Sequence, residues 1–370
     1  MKISRKKIAI IFILIVSIIY ITKKHFNSPI MELSPLGSSF SGGKSHEQFV
    51  RNAKADYKTY LGSNYIRIPD IFGVELPKYL KYKEKHLTTV IDQGDCASCY
   101  SITVAHMLAD RISVMTGGKV LRPLSTQELI SCWNVKGNLG CTQGGIPETA
   151  MVHISKKGIA TKADYEYKQK DTTKIFKCER AKLTGFRTYI QKGSIRNLCI
   201  DPYRYQDGSP KYNKVIEDNV KNMKKDIYLN GPIVGTIMAY DNLYKYNGLS
   251  VYRGHENTKL QGGHAILIIG WSDESVNTQE PEFNYPYWIA KNSWSQCWNR
   301  HNKGYFYVEM GKNVCGIESR ASSALPVMTD EIASAKTDLD QSRYISYDQY
   351  VNDPERENYI KTVGSLLLGR

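Results

Sequence analysis

The chain has 370 residues, 41% of them hydrophobic, and a formal net charge of +14. That is enough apolar material for one large core or two smaller ones. The basic residues are interleaved with acids, and no finger, RNP or basic-zipper pattern occurs, so nucleic-acid binding is excluded as the organising function. The charge suits an anionic surface, acidic substrates or simply a soluble basic exterior.

Residues 1–25 read as a unit. Lys2, Arg5, Lys6 and Lys7 precede an apolar run at 8–22, which Lys23 and Lys24 close. As a helix the run spans roughly 22 Å, short of the roughly 30 Å hydrocarbon core. Flanking lysines can snorkel, and no small-residue cleavage site follows. The segment is therefore predicted to be an uncleaved signal anchor that places the remainder on the extracytosolic side of a membrane. The alternative is a cleaved signal peptide and a secreted or lysosome-like location. Either puts the body of the protein in an oxidising compartment.

Residues 26–75 begin with a Ser/Gly-rich stretch and read as a linker, stalk or short pro-segment, extended at 66–72. Folded-domain composition starts near Leu76 and continues to about Ser323. Within it Gln93-Gly94-Asp95-Cys96-Ala97-Ser98-Cys99-Tyr100 leads into a predicted helix through Asp110. A thiol in a helix's first turn meets unpaired N–H groups and the positive end of the dipole, both of which favour thiolate. By itself the C-x-x-C pattern also fits a buried cysteine pair or half of a zinc site. Eight cysteines occur (96, 99, 132, 141, 178, 199, 297 and 315), so one reactive thiol leaves an odd number for disulfides.

Further helices are predicted beginning near Gln127, with Thr126 as cap, at 146–157 and at 215–230. Paired glycines at Gly144 and Gly145 allow another backbone to approach closely. The stretch 165–213 lacks periodicity and reads as loops. After Pro232 the pattern turns to strands at 233–239, 248–252, 265–271, 287–291 and 304–310. Helices first and strands afterwards predict an α+β protein of two packed lobes. Residues 324–370 form a polar extension with weak helical stretches at 330–339 and 357–368, and no role is assigned to it.

His264 stands at the mouth of one strand and Asn292 just after another, with Gln93 six residues before Cys99. A nucleophilic thiol needs a base, a group to orient that base and a donor for the developing oxyanion. His264, Asn292 and Gln93 supply these three functions without a cofactor or metal. In these residues, and in Gly262-Gly263-His264-Ala265 and Cys315-Gly316-Ile317-Glu318, the chain resembles the papain-like cysteine proteases, cathepsin B in particular, over about 76–323.

The resemblance implies a helical left lobe, an antiparallel, barrel-like right lobe and a cleft between them. It also implies catalytic roles for Cys99, His264, Asn292 and Gln93, with Trp294 shielding the His–Asn pair and Trp298 on the leaving-group side. Gly144 and Gly145 would pair with the substrate backbone, and Glu318 would form the base of a specificity pocket. Cys96–Cys141 and Cys132–Cys178 would be disulfides, and Cys315 would seek a partner in Cys199 or Cys297. No histidine lies between His153 and His255, where cathepsin B carries a histidine-bearing occluding loop, so an endopeptidase is expected. The expected partners are protein or peptide substrates and, through residues 8–22, a membrane; a monomer is expected. A protease-like surface interaction protein with little turnover is the alternative.

Overall fold

The helix predicted at Cys99 forms and runs further than its apolar pattern suggests. In the computed structural model, which describes residues 67–68, 75–133, 140–168, 176–248, 250–254, 258–273, 285–299, 302–337 and 344–345, α1 spans Cys99–Met115. Every α1 residue except Met115 is buried, as expected of a helix enclosed on all sides rather than one lying on a surface. Its polar members are satisfied inside. Arg111 donates to Pro232 O (2.7 Å), to Ala324 O (3.0 Å) and to the carboxylate of Asp226.

The next helix, α2 (Thr126–Ser131), is capped one residue earlier than expected. Ser125 is extended, and its hydroxyl accepts from Glu128 N–H over 3.1 Å, while Thr126 is already helical. Ser125 and Glu128 have the spacing of a capping box, but the Glu128 carboxylate turns away to Ala160 N–H and Arg187. The third helix, α3 (Pro147–Lys157), starts on a proline. The long α4 (Pro210–Asn230) also starts on a proline, with Ser209 as cap, five residues before the predicted start. The Ser-Pro pair is the start signal overlooked at the end of a polar stretch.

An antiparallel sheet forms the second lobe. Its strands are β1 (Tyr79–Tyr82), β4 (Arg196–Asn197), β5 (Ile233–Tyr240), β6 (Leu260–Ser272), β7 (Tyr287–Lys291), β8 (Tyr305–Glu309), β9 (Ala321–Ser323) and β10 (Tyr344–Ile345). β2 (Ile159–Ala160) and β3 (Arg187–Thr188) pair separately. β6 organises the sheet. Its first half runs along β5, with Thr236 opposite Ala265, and its second half pairs with both β7 and β1. A register shift between Ile268 and Gly270 lets one strand serve three partners. Among the described residues of the segment predicted as a strand at 248–252, Tyr252 makes an isolated bridge to Val308. Trp271, Trp288, Tyr79, Tyr82 and Phe306 fill the core of this lobe, while Tyr100, Ile102, Met107 and Met151 fill that of the helical one.

The C-terminal extension packs on the domain. Leu325 and Val327 exchange backbone bonds with Gln191 and Tyr189, Thr329 caps the short helix α5 (Asp330–Ala335), and β10 adds a strand to β1. The helix candidate at 357–368, the linker at 26–66 and the anchor at 8–22 lie outside the described residues. Among the described residues no helix is long and apolar enough to cross a membrane.

Cys96 is bonded to Cys141 and Cys132 to Cys178. Cys315 finds no disulfide partner in either expected cysteine. Its sulfur sits 3.9 Å from Tyr252 Oη, Cys199 packs on Met223, and Cys297 is exposed.

Candidate active site

Cys99 opens α1, and Thr103, one turn on, donates to Ala265 O over 3.2 Å. That bond presses the start of the helix onto β6 beside His264. The Cys99 sulfur takes a hydrogen bond from the backbone of Ala265, the residue that follows His264. The thiol and the imidazole, 165 residues apart in sequence, thus share one end of the interlobe contact.

His264 is held by Asn292. Its Nε2 lies 2.8 Å from Asn292 Oδ1, which also accepts from Ser293 N–H. An amide oxygen only accepts, so Nε2 carries the proton and Nδ1 keeps a lone pair. Nδ1 is buried and has no hydrogen-bond partner. The indole of Trp294 stacks on the imidazole at 4.7 Å and 26°, and Tyr244 stacks on Trp294 at 4.7 Å. Trp298 meets Trp294 edge-on at 5.2 Å and donates to Tyr244 O. Tyr244 was not singled out in the sequence: a tyrosine in a Tyr-rich stretch carries no local sign that it will close a ring stack.

Gln93 is 1% exposed. Its Nε2 donates to Cys96 O at 2.9 Å, and its Oε1 accepts from the Ser293 hydroxyl at 2.6 Å. One amide hydrogen remains for an incoming oxyanion, because a primary amide has two. Gly144 (φ +74°) and Gly145 pack against this region. A Cβ at Gly144 would lie 3.1 Å from Ala97 O, and one at Gly145 would lie 2.7 Å from the Tyr100 ring.

Burial acts on both reacting groups. It pushes the Cys99 thiol up, against backbone hydrogen bonds that pull it down. It pushes His264 down to about 4, with the Asn292 bond opposing. The lowered thiol pKa expected from the helix terminus is thus outweighed by desolvation in the closed site. Each charge is costly alone. Moving the proton from sulfur to Nδ1 creates both charges together, and their attraction offsets part of the desolvation.

Glu318 is fully buried, its Oε1 accepting from Trp288 Nε1 and Gly311 N–H, each at 2.8 Å. Two residues on, Arg320 reaches the other lobe and pairs with Glu148 in the first turn of α3 at 2.8 Å. A second ion pair between the lobes is wholly buried: Lys291, next to Asn292, binds Asp110 on α1 at 2.7 Å and also Thr88. The zinc alternative fails because the Cys96 sulfur is already bonded to Cys141. Among the described residues no three His, Cys, Asp or Glu side chains are grouped to hold a metal ion.

A buried thiol at a helix start, hydrogen-bonded by the residue that follows a strand-borne imidazole held by an amide, is in keeping with a cysteine-type peptidase. Residues 76–325 match the model of the papain family of cysteine proteases, and the chain belongs to that family. It is 32% identical over 269 residues to a cathepsin B-like cysteine proteinase of Schistosoma japonicum, covering 68% of this chain and 74% of the relative. It is 31% identical over 239 residues to a gut-specific cysteine proteinase of Caenorhabditis elegans, covering 64% of this chain and 68% of the relative. Among solved structures it resembles procathepsin B S9 from Trypanosoma congolense, with a TM-score of 0.57 over 72% of this chain and 84% of that one. Identity there is 22%, so this likeness bears on the fold alone.

Proposed function

We propose that the protein is an endopeptidase that works through a Cys99–His264–Asn292 acyl-enzyme mechanism. The observation that carries this reading is the 2.8 Å His264–Asn292 bond, which leaves Nδ1 unpartnered on the strand whose next residue, Ala265, hydrogen-bonds the Cys99 sulfur. His264 Nδ1 takes the Cys99 proton as the sulfur attacks the peptide carbonyl. Gln93 Nε2 and the Cys99 N–H stabilise the oxyanion. Collapse breaks the C–N bond, and the imidazolium returns the proton to the leaving amine. Water, deprotonated by His264, then cleaves the thioester and restores the thiol. The absence of histidine between His153 and His255 supports cleavage within chains rather than dipeptide trimming. Gly144 and Gly145 would present backbone to the substrate, and Trp298 would border the leaving group.

An epoxide or peptidyl probe specific for active-site thiols should label the protein, and Cys99→Ala should abolish labelling. A correctly folded protein that takes up no probe would instead be a surface interaction protein.

Two disulfides, and relatives that include a gut-specific proteinase, support action in an oxidising, extracytosolic compartment. The run at 8–22 would deliver the chain there. Mass spectrometry of the native N-terminus distinguishes the outcomes: a start beyond residue 25 identifies a released enzyme, and an intact start identifies a tethered one.

A further inference from the structure

Ser98 precedes the nucleophile and occupies the N-cap position of α1, yet its hydroxyl caps nothing in the helix. A serine there ordinarily accepts from a backbone N–H of the first turn. Instead its Oγ lies 2.8 Å from the phenol oxygen of Tyr167, 69 positions away, and 3.5 Å from Cys96 O. The Tyr167 hydroxyl in turn donates to the main-chain oxygen of Gln93 at 2.8 Å. A phenol has one hydrogen, and so does a serine hydroxyl. With the phenol hydrogen on Gln93 O, Ser98 donates to Tyr167, the shorter of its two contacts. Burial pushes the phenol pKa up, so the hydroxyl keeps its hydrogen. Gln93 and Ser98 are 1% and 0% exposed, so water does not compete for these bonds.

The segment that carries Tyr167 is itself held. On one side Tyr165 O accepts from the Ser125 hydroxyl at 2.6 Å, and on the other Lys168 N–H donates to Gln127 Oε1 at 2.8 Å. Ser125 and Gln127 are buried at the start of α2, so the phenol stands on a piece of chain fixed to the helical lobe. The sheet lobe holds the same Gln93 through Ser293, by main chain and by side chain. Gln93 is thus tied to both lobes.

We propose that Tyr167 is a positioning residue for peptide hydrolysis: its single oxygen, bonded to Gln93 O and Ser98 Oγ, fixes the separation of the two oxyanion donors, Gln93 Nε2 and the Cys99 N–H. This rests on the peptidase reading. One donor belongs to the residue whose carbonyl the phenol holds, and the other follows directly on the residue whose hydroxyl it holds. The oxyanion exists only once the sulfur has attacked, so a donor pair kept at fixed spacing acts on the transition state rather than on substrate binding. Tyr167 works through these two residues and not on the substrate itself.

The test is Tyr167→Phe in the full-length protein, which removes the hydroxyl and keeps the ring. On a peptide substrate kcat should fall about tenfold, short of the roughly 10²–10³-fold lost with an oxyanion donor itself. KM should move by less than about twofold, as for an interaction made only in the transition state. A peptide aldehyde, whose tetrahedral thiol adduct places an oxygen at the same donors, should bind about tenfold more weakly. Alkylation of Cys99 by iodoacetamide, followed at that residue by mass spectrometry, forms no oxyanion and should keep its rate. Ser98→Ala should reproduce part of the loss, and the double variant should lose no more than Tyr167→Phe alone, as coupled partners do. If Tyr167→Phe fails to fold, Ser98→Ala carries the same comparison of turnover, aldehyde binding and alkylation. Unchanged kcat would overturn the inference, and so would fully additive losses in the double variant. Alkylation slowed in step with kcat would also overturn it, because the hydroxyl would then serve the thiol or the fold at large. A wild-type protein that neither takes up the peptidyl thiol probe nor cleaves peptides would overturn the peptidase reading and this inference with it. An active enzyme indifferent to the Tyr167 hydroxyl overturns this inference alone.

Discussion

The Ser293 hydroxyl donates to Oε1 of Gln93 over 2.6 Å, across 200 positions of sequence. The main chains of the same two residues are joined as well, Gln93 N–H to Ser293 O at 2.8 Å. The residue after the imidazole's orienter therefore fixes the amide assigned to the oxyanion, and the two halves of the site are set in register by one contact. Ser293→Ala should lower kcat by about fivefold, the worth of one neutral hydrogen bond of about 1 kcal/mol, with KM little changed. Steady-state kinetics on a peptide substrate checks the split. Equal loss in both parameters would argue that Ser293 acts on binding instead.

Asn292 sets the tautomer of His264, and its bond favours the charged ring. Asn292→Ala should cut kcat/KM by roughly 10²-fold, in the range of general acid–base contributions. In the native enzyme the base must be neutral, so activity should fall as pH drops through about 4. Loss of the Asn292 bond should move that acid limb to lower pH. A pH profile of kcat/KM for both proteins gives the answer, and a limb moving upward would contradict the assigned hydrogen bond.

Lys291 and Asp110 are 1% and 0% exposed in their side chains and brace β7 against α1. Truncating one partner strands the other charge in the interior. Asp110→Ala should therefore cost about 3–5 kcal/mol, seen as a lower urea midpoint at pH 7. Lys291→Met with Asp110→Leu should recover much of that loss, since removing both charges leaves neither unpaired.

Glu318 gives the protein a pH-dependent stability. Burial pushes its carboxyl up to about 7 from an ordinary 4.5. Near pH 4.5 and below, its contribution is fully present. As pH rises towards 7 the unfolded chain sheds the proton first, so stability falls, by an amount on the order of 3 kcal/mol from this group. Urea midpoints at pH 4.5 and 7.5 should differ in that direction, and Glu318→Gln should flatten the difference. An unchanged slope in the variant would assign the effect elsewhere.

The sequence determined the order and kinds of the candidate reacting groups. Gln93, Cys99, His264 and Asn292 stand out by residue type, local motif and order, although β6 already starts at Leu260 and carries His264 inside the strand rather than at its mouth. The strands at 233–239, 265–271 and 287–291 read correctly because period and β-branched residues are local properties. The cap at Ser125 and the start of α4 at Pro210 were also written locally but were misread by one residue and by five.

Only the tertiary structure decided the rest. Whether Glu318 meets solvent depends on Trp288 and Gly311, and whether Cys315 finds a partner depends on where Tyr252 and Met223 lie. The attachment of β10 to β1 likewise depends on a sheet edge more than 250 positions away. Even the thiol's acidity reversed direction, because a helix terminus is a local feature whereas desolvation is imposed by β6 closing over it. Spacing in a sequence fixes which groups a segment offers; burial and long-range contacts fix what each group costs and which partner it meets.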